Sequence, residues 1–369
     1  MRLAHSWPAL AAALFLVHAI PASAQLSPSQ PDPLAGIRAA AQNNAPACSA
    51  TGESLCEQTA PKIIANAQGD SPLGENLRRL QGEIGGRASG SPTAAQAVAW
   101  GVAAFRQAGV DVHTEKSKER TGGPDDQENV VAEIRGREKP DEWILLGAHL
   151  DSWTHGDAEA GNSCDAAMVI EAARDISLTG IHPRRSIRFV LFTGGEKGKI
   201  GSWMYVRSHR AELDRARAVI ISRSGCGRVT GYSLNGRHDI EPGLREAMKP
   251  IESLGASHYR FDAGLGTDNF DFLVEGVPTL TVIQAQTGDP LDSPAPSGTP
   301  DKVDVTDLKR NTAIAAVTAF GIAERAEPLG PRQSRAEIES LLKTSGLDQQ
   351  MKIAGLWPLW ESGERGRKP

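Results

Sequence analysis

The chain has 369 residues, 40% of them hydrophobic and 23% charged, with a formal charge of −5. This length fits one large α/β domain with appendages. The balance is mildly acidic, and the basic residues are scattered without aromatic interleaving, which argues against a nucleic-acid partner.

Residues 1–24, MRLAHSWPALAAALFLVHAIPASA, combine Arg2, an apolar run and the small-x-small signal Ala22-Ser23-Ala24. That is the pattern of a secretory leader. The apolar run is shorter than the roughly 20 residues a membrane-spanning helix needs, and no later segment is apolar enough to span. The expectation is an exported chain, periplasmic or extracellular, with no membrane association after cleavage. An uncleaved anchor is the alternative. Cleavage removes Arg2 and takes the formal charge from −5 to −6. Residues 25–70 follow as a Pro/Ser linker and an Ala-rich, weakly helical segment carrying Cys48 and Cys56. Export would allow these two cysteines to pair.

From residue 73 the pattern firms. Helical spacing covers about 73–84 and 92–108, the second with Ser91 as N-cap and Gly109 as stop. The period then changes to two, predicting strands at VDVHTEK, NVVAEIRG and EWILLGAHL, with the polar turn SKERTGGPDDQ between the first two. A helix is expected over about 165–178. SIRFVLFTG reads as a doubly covered central strand, and a helix follows Glu196. ARAVIIS is a further buried strand, and LREAMKPIESLG a helix despite Pro250. NFDFLVEG is a short helix, VPTLTVIQ a strand, and residues 305–325 a long amphipathic helix capped by Asp304 or Thr306. This succession predicts an α/β fold, a mostly parallel twisted sheet with helices on both faces. The expected division is a leader (1–24), an N-terminal linker and helical segment (25–70), a main domain (71–326) and a C-terminal tail (327–369).

At GAHLDSW, PRRSIRFVLFTGGEKGKIGSWMYVRSHRAELDR, VTGYSLNGRHD, GTDNFDFLVEGVPTLTVIQ and DKVDVTDLKRN the sequence resembles the di-zinc exopeptidases, the family of bacterial aminopeptidases and carboxypeptidase Q. The resemblance implies two zinc ions at the carboxyl ends of the sheet strands, a bridging Asp, and a Glu as general base. Such paired metals clamp the attacking and leaving oxygens. Carried over position by position, His149 matches a metal ligand and Asp151 the acid that orients it. His149 and Asp151 are two apart at a strand end and so face the same way. Glu196 matches another ligand, and Asp268 and Asn269 match a loop on the substrate side.

The other positions depart from the pattern. Gly161 stands at the bridging Asp, Gly195 at the general base, Arg223 at a second Asp, and Pro294 (beside Ser293) where the last His belongs. Asp165 lies a helical turn from the bridging position. Glycine accepts no proton, and general acid–base catalysis is worth about 10²–10⁴-fold. Arg stays protonated and offers no lone pair to a metal. Only His149 and Glu196 remain as ligands, so a zinc pair of the family type is not expected. A lone zinc on His149, Asp151 and Glu196 is the alternative. The first reading is a catalytically impaired peptidase homologue that binds a peptide or small-molecule ligand. The second is an active zinc-dependent amino- or carboxypeptidase with an altered metal site.

Loss of the metals would leave carboxylates together in the cleft, and Arg223 is expected to pair with Glu196 or Asp151. Cys164 and Cys226 border the former metal positions, bridged across the cleft, as two small, partly buried thiols, or with Cys164 as a catalytic cysteine near His155 and Asp157 in sequence. The glycine-rich run after the strand is not a phosphate-binding loop: Gly-x4-Gly-Lys-Ser/Thr fails at Thr193 and Ile200.

Overall fold

The computed structural model describes residues 54–116, 127–152, 160–195, 198–223, 225–285 and 303–369. The expected leader and Cys48 lie outside them. None of the described helices is long and apolar enough to cross a membrane.

Helix α1 (Leu55–Gln68) starts at a capping box in which Ser54 and Glu57 satisfy each other's backbone amides. Helix α2 (Leu73–Arg78) runs into a wider π-type turn at Arg79–Ile84. Helix α3 (Pro92–Gln107) starts at Ser91, whose hydroxyl accepts from the Ala94 amide. The strands are β1 (Asp111–Lys116), β2 (Glu128–Ile134), β3 (Lys139–His149), β4 (Arg185–Phe192), β5 (Ala216–Ile221), β6 (Val229–Ser233), β7 (His258–Arg260) and β8 (Thr279–Gln284). Between them lie α4 (Ala160–Ser177), α5 (Ile200–Ser208), α6 (Glu241–Met248) and α7 (Asn269–Leu273). After β8 come α8 (Val305–Glu324), α9 (Arg335–Thr344), α10 (Leu347–Ile353) and α11 (Trp357–Glu361).

The sheet order is β1-β2-β4-β3-β5-β8-β6-β7. Its centre, β4-β3-β5-β8, is parallel throughout. β1 and β2 on one flank and β6 on the other pair antiparallel. The sheet is therefore mixed, with the expected parallel core. Both faces are covered, and the two-residue period divides each central strand between them. Ile144, Leu146, Ala148, Phe189, Leu191 and Ile220 point to the layer holding α1, α3, α4 and α8. Trp143, Leu145, Val190, Phe192, Val219 and Ile221 point to the other, with Tyr205 and Phe272. Phe192 meets Tyr205 edge-on at 5.9 Å and Phe272 at 6.3 Å, contacts worth about 0.5–1.5 kcal/mol each beyond area burial.

α4 begins five residues before its predicted start. The helix expected at 244–255 is α6 followed by a 3-10 segment, Lys249–Leu254. Pro250 has no amide to continue the α ladder. Asp304, rather than Thr306, caps α8, accepting from the Thr306 and Asp307 amides. The C-terminal helices do not trail free. Ile338, Leu341, Leu342, Met351 and Trp360 form one apolar cluster with Phe270, Leu273 and Val274 of the α7 segment.

Candidate functional site

In a parallel sheet, sites form outside the carboxyl ends of the strands. Here β3 ends at His149, on the face of Trp143 and Leu145. The imidazole is 6% exposed, and its Nδ1 lies 2.8 Å from Asp268 Oδ2 in a close buried ion pair. Asp268 is fully buried at the start of α7. Burial alone would push the His149 pKa down; the Asp268 carboxylate outweighs it and raises it. Burial likewise acts upward on Asp268, but His149, with Lys199 nearby, holds its pKa low.

Asp151 is buried too, and its charge raises the His149 pKa. Its Oδ1 accepts the Gly195 amide at 3.0 Å, and its carbonyl accepts from Asn162 Nδ2 at 3.1 Å. Asp268 makes the close ion pair with His149, and the Asp151 carboxylate also acts on the imidazole, its charge adding to the upward pull on the pKa. The reason is tertiary. α7 brings Asp268 to the imidazole, while the turn after β4 presents an amide to Asp151.

Gly195 sits directly under the ring. A Cβ added there would lie 2.2 Å from His149 Nδ1 and 2.3 Å from Cε1. The imidazole therefore fills the space from which a side chain at the general-base position would start. Lys199 lies one turn on, in the left-handed region at φ 62°, and its Nζ donates to the Gly195 carbonyl at 3.0 Å. A non-glycine residue held there carries strain of order 1–3 kcal/mol. Lys199 was not among the expected site residues.

Of the two carboxylates expected to pair with Arg223, Glu196 lies outside the described residues and Asp151 makes no ion pair with it. Arg223 is exposed, and its Nη1 lies against Gly266. Among the described residues no carboxylate pairs with it. The positive charges near Asp268 come instead from His149 and Lys199. Gly161 lies in the first turn of α4. His155, Asp157, Glu196 and Pro294 lie outside the described residues.

Cys164 and Cys226 form a disulfide joining the start of α4 to the loop after β5, with Cα atoms 5.3 Å apart. Beside it, Asp165 is 2% exposed and occupied: its Oδ1 accepts from Ser222 Oγ at 2.7 Å and its Oδ2 from the Gly225 amide at 3.0 Å. It is therefore committed to the loop.

The substrate-side loop carries unmet hydrogen-bonding capacity. Thr267 Oγ1 and both amide atoms of Asn269 are buried without partners. Two residues further, Asp271 is tied by Arg365 of the C-terminal segment, Nε to Oδ1 at 2.7 Å and Nη2 to Oδ2 at 3.2 Å, and by Ser202 Oγ at 2.8 Å. Arg365 Nη2 also reaches the Gly198 carbonyl at 3.2 Å. Nothing local in the sequence signals this link, because its ends are 94 residues apart.

A zinc pair needs His, Asp or Glu side chains converging on common points. Among the described residues no group of three such side chains could hold a metal ion. Gly195 and Gly161 contribute no donor, and Arg223 offers a metal no lone pair. The described residues do not fit the metal pair that the family resemblance implies.

The family model for peptidase family M28 matches residues 129–319, just over half of the chain. Mouse carboxypeptidase Q is 33% identical over 153 residues, covering 42% of this chain and 32% of that one. The matching segment thus spans about a third of such relatives. A peptidase M28 precursor from Shewanella amazonensis superposes with a TM-score of 0.67 at 19% identity, over 76% of this chain and 99% of that one. A zinc aminopeptidase from Bacillus subtilis does so at 0.57 and 12% identity, over 74% and 97%. These two likenesses show the fold. With the sheet, its strand-end site and the family match together, the chain belongs to peptidase family M28.

Proposed function

We propose that this protein is an exported M28-family chain that has lost metal-assisted peptide hydrolysis and works by binding a peptide or small polar ligand at the ends of its central strands. One observation carries the reading. The His149 imidazole packs over Gly195 against Asp268, in the space a general base would occupy. A ligating histidine keeps a ring nitrogen for the metal while a second group fixes its tautomer. A carboxylate on Nδ1, as Asp268 is here, is compatible with that role, so the reading rests on the donors missing at Gly161, Gly195 and Arg223 and on the space the ring fills over Gly195. Next to Asp268, the Thr267 hydroxyl and the Asn269 amide are buried with hydrogen-bonding capacity unmet, and a small shift of this loop would be needed to present them to a ligand. Export is supported by the leader-like residues 1–24 and by a disulfide that an oxidising compartment would preserve.

The test uses the full mature chain. Its metal content is measured after dialysis against zinc, and hydrolysis of aminoacyl p-nitroanilides and of dipeptides is followed with and without zinc. The reading predicts well under one zinc per chain and no hydrolysis above the protein-free control. Stoichiometric zinc with chelator-sensitive release of amino acids would instead establish an active exopeptidase using an altered site around His149, Asp151 and Glu196.

A further inference from the structure

The two loops bordering the cleft next to His149, the start of α4 and the segment after β5, are the ones where the family resemblance places metal ligands and this chain has Gly161 and Arg223. They are nevertheless fastened together. Cys164, fully buried, and Cys226, half-buried, bridge them covalently three residues beyond each replaced position. Asp165, next to Cys164, clasps the same loop twice, through Ser222 Oγ at 2.7 Å and the Gly225 amide at 3.0 Å. The disulfide packs into an apolar cluster of Leu73, Leu77, Met168, Val303 and Leu308, which links α2 and α8 to the same point.

We infer that the Cys164–Cys226 disulfide and Asp165 form a metal-independent tie that holds these two cleft walls in register, so that the shape of the site depends on disulfide oxidation and not on zinc. The inference rests on the reading of the site as metal-free. A bridging metal would restrict the relative motion of two ligand-bearing loops. A covalent link closing 62 residues of chain does so as well, by removing freedom from the unfolded and locally opened states. Reduction by a dithiol breaks the Sγ–Sγ bond. Two electrons and two protons pass to Cys164 and Cys226, and the reagent leaves as its cyclic disulfide.

The experiment compares the purified mature chain untreated, treated with dithiothreitol, and treated with a zinc chelator, reading the melting temperature and amide exchange in peptides covering 160–168 and 222–228. Thiol labelling with mass spectrometry verifies reduction of Cys164 and Cys226. A C164A/C226A variant carries the test wherever the buried bond resists the reagent. The tie predicts a melting temperature lower by about 4–10 °C on reduction or in the variant. It also predicts about tenfold faster exchange in both peptides, and no change with chelator. Unchanged exchange in both peptides after verified reduction, or in the variant, would overturn the inference while leaving the proposed function standing. A chelator effect on the same peptides would overturn the inference and also count against the metal-free reading.

Discussion

Removing the Arg365 guanidinium should destabilise the fold strongly, and more so at alkaline pH. In R365A, Asp271 loses contacts at 2.7 and 3.2 Å and keeps Ser202 Oγ at 2.8 Å. Asp271 is 1% exposed, so water cannot replace the lost donors. Breaking a buried pair from one side typically costs about 3–5 kcal/mol. Arg365 also lies 5.3 Å over the Trp203 ring and 5.6 Å over Phe270, contacts worth roughly a further 0.5–1 kcal/mol each. We expect a total of about 4–7 kcal/mol at pH 8. Burial already raises the Asp271 pKa above the ordinary carboxyl range, against the pull of Arg365. Losing Arg365 raises it further. A raised folded-state pKa gives stability that is complete below the ordinary value and lost as pH rises through the folded one. The cost of R365A should therefore shrink toward pH 5, where Asp271 can bind its proton in the fold. Urea unfolding of wild type and R365A at pH 5 and pH 8 measures this, with D271N/R365M as the partner variant expected to recover much of the loss. A cost under about 1 kcal/mol at pH 8, or an equal cost at both pH values, would refute the reasoning.

Asp175 and Glu171 sit four apart on α4, both fully buried, each with one oxygen lacking a hydrogen-bond partner, and share Arg174 at 3.5 and 2.8 Å. Burial, with Glu171 alongside, pushes the Asp175 pKa up to about 8. Its contribution to stability is thus lost as pH rises from the ordinary carboxyl range through about 8, and D175N should stabilise the protein by about 1–3 kcal/mol at pH 9 but little at pH 4, read by thermal melts. G195E should restore no hydrolysis, because its Cβ meets the His149 ring at 2.2 Å; it should lower stability by about 1–3 kcal/mol, and detectable dipeptide cleavage by G195E would contradict the packing argument. H149A leaves Asp268 buried without its close cation and should cost about 3 kcal/mol, with H149A/D268N recovering part of it in the same urea assay.

The central strands were legible because burial on both faces makes them apolar without interruption, as in Ile144–Leu146 and Phe189–Phe192. β6 and β7 were not: VTGYS and HYR are short strands toward the sheet edge, β6 held by β8 and β7 by β6, and this pairing rather than their own composition makes them strands. His149 and the replaced positions at Gly195 and Arg223 could be read from local motifs. What these side chains touch could not. The closest carboxylate to His149 is Asp268, 119 positions on, which the His-x-Asp spacing could not show. The Cys164–Cys226 link was only one of three open readings, since spacing alone does not fix pairing. Arg365 gave no sign at all, because a buried arginine becomes visible only when its carboxylate is placed beside it.

The most direct test of the account is the zinc content of the dialysed mature chain, measured together with its dipeptidase activity. The account predicts far less than one equivalent of zinc and no turnover above background. One or two tightly held equivalents, with hydrolysis abolished by chelator and restored by zinc, would contradict it.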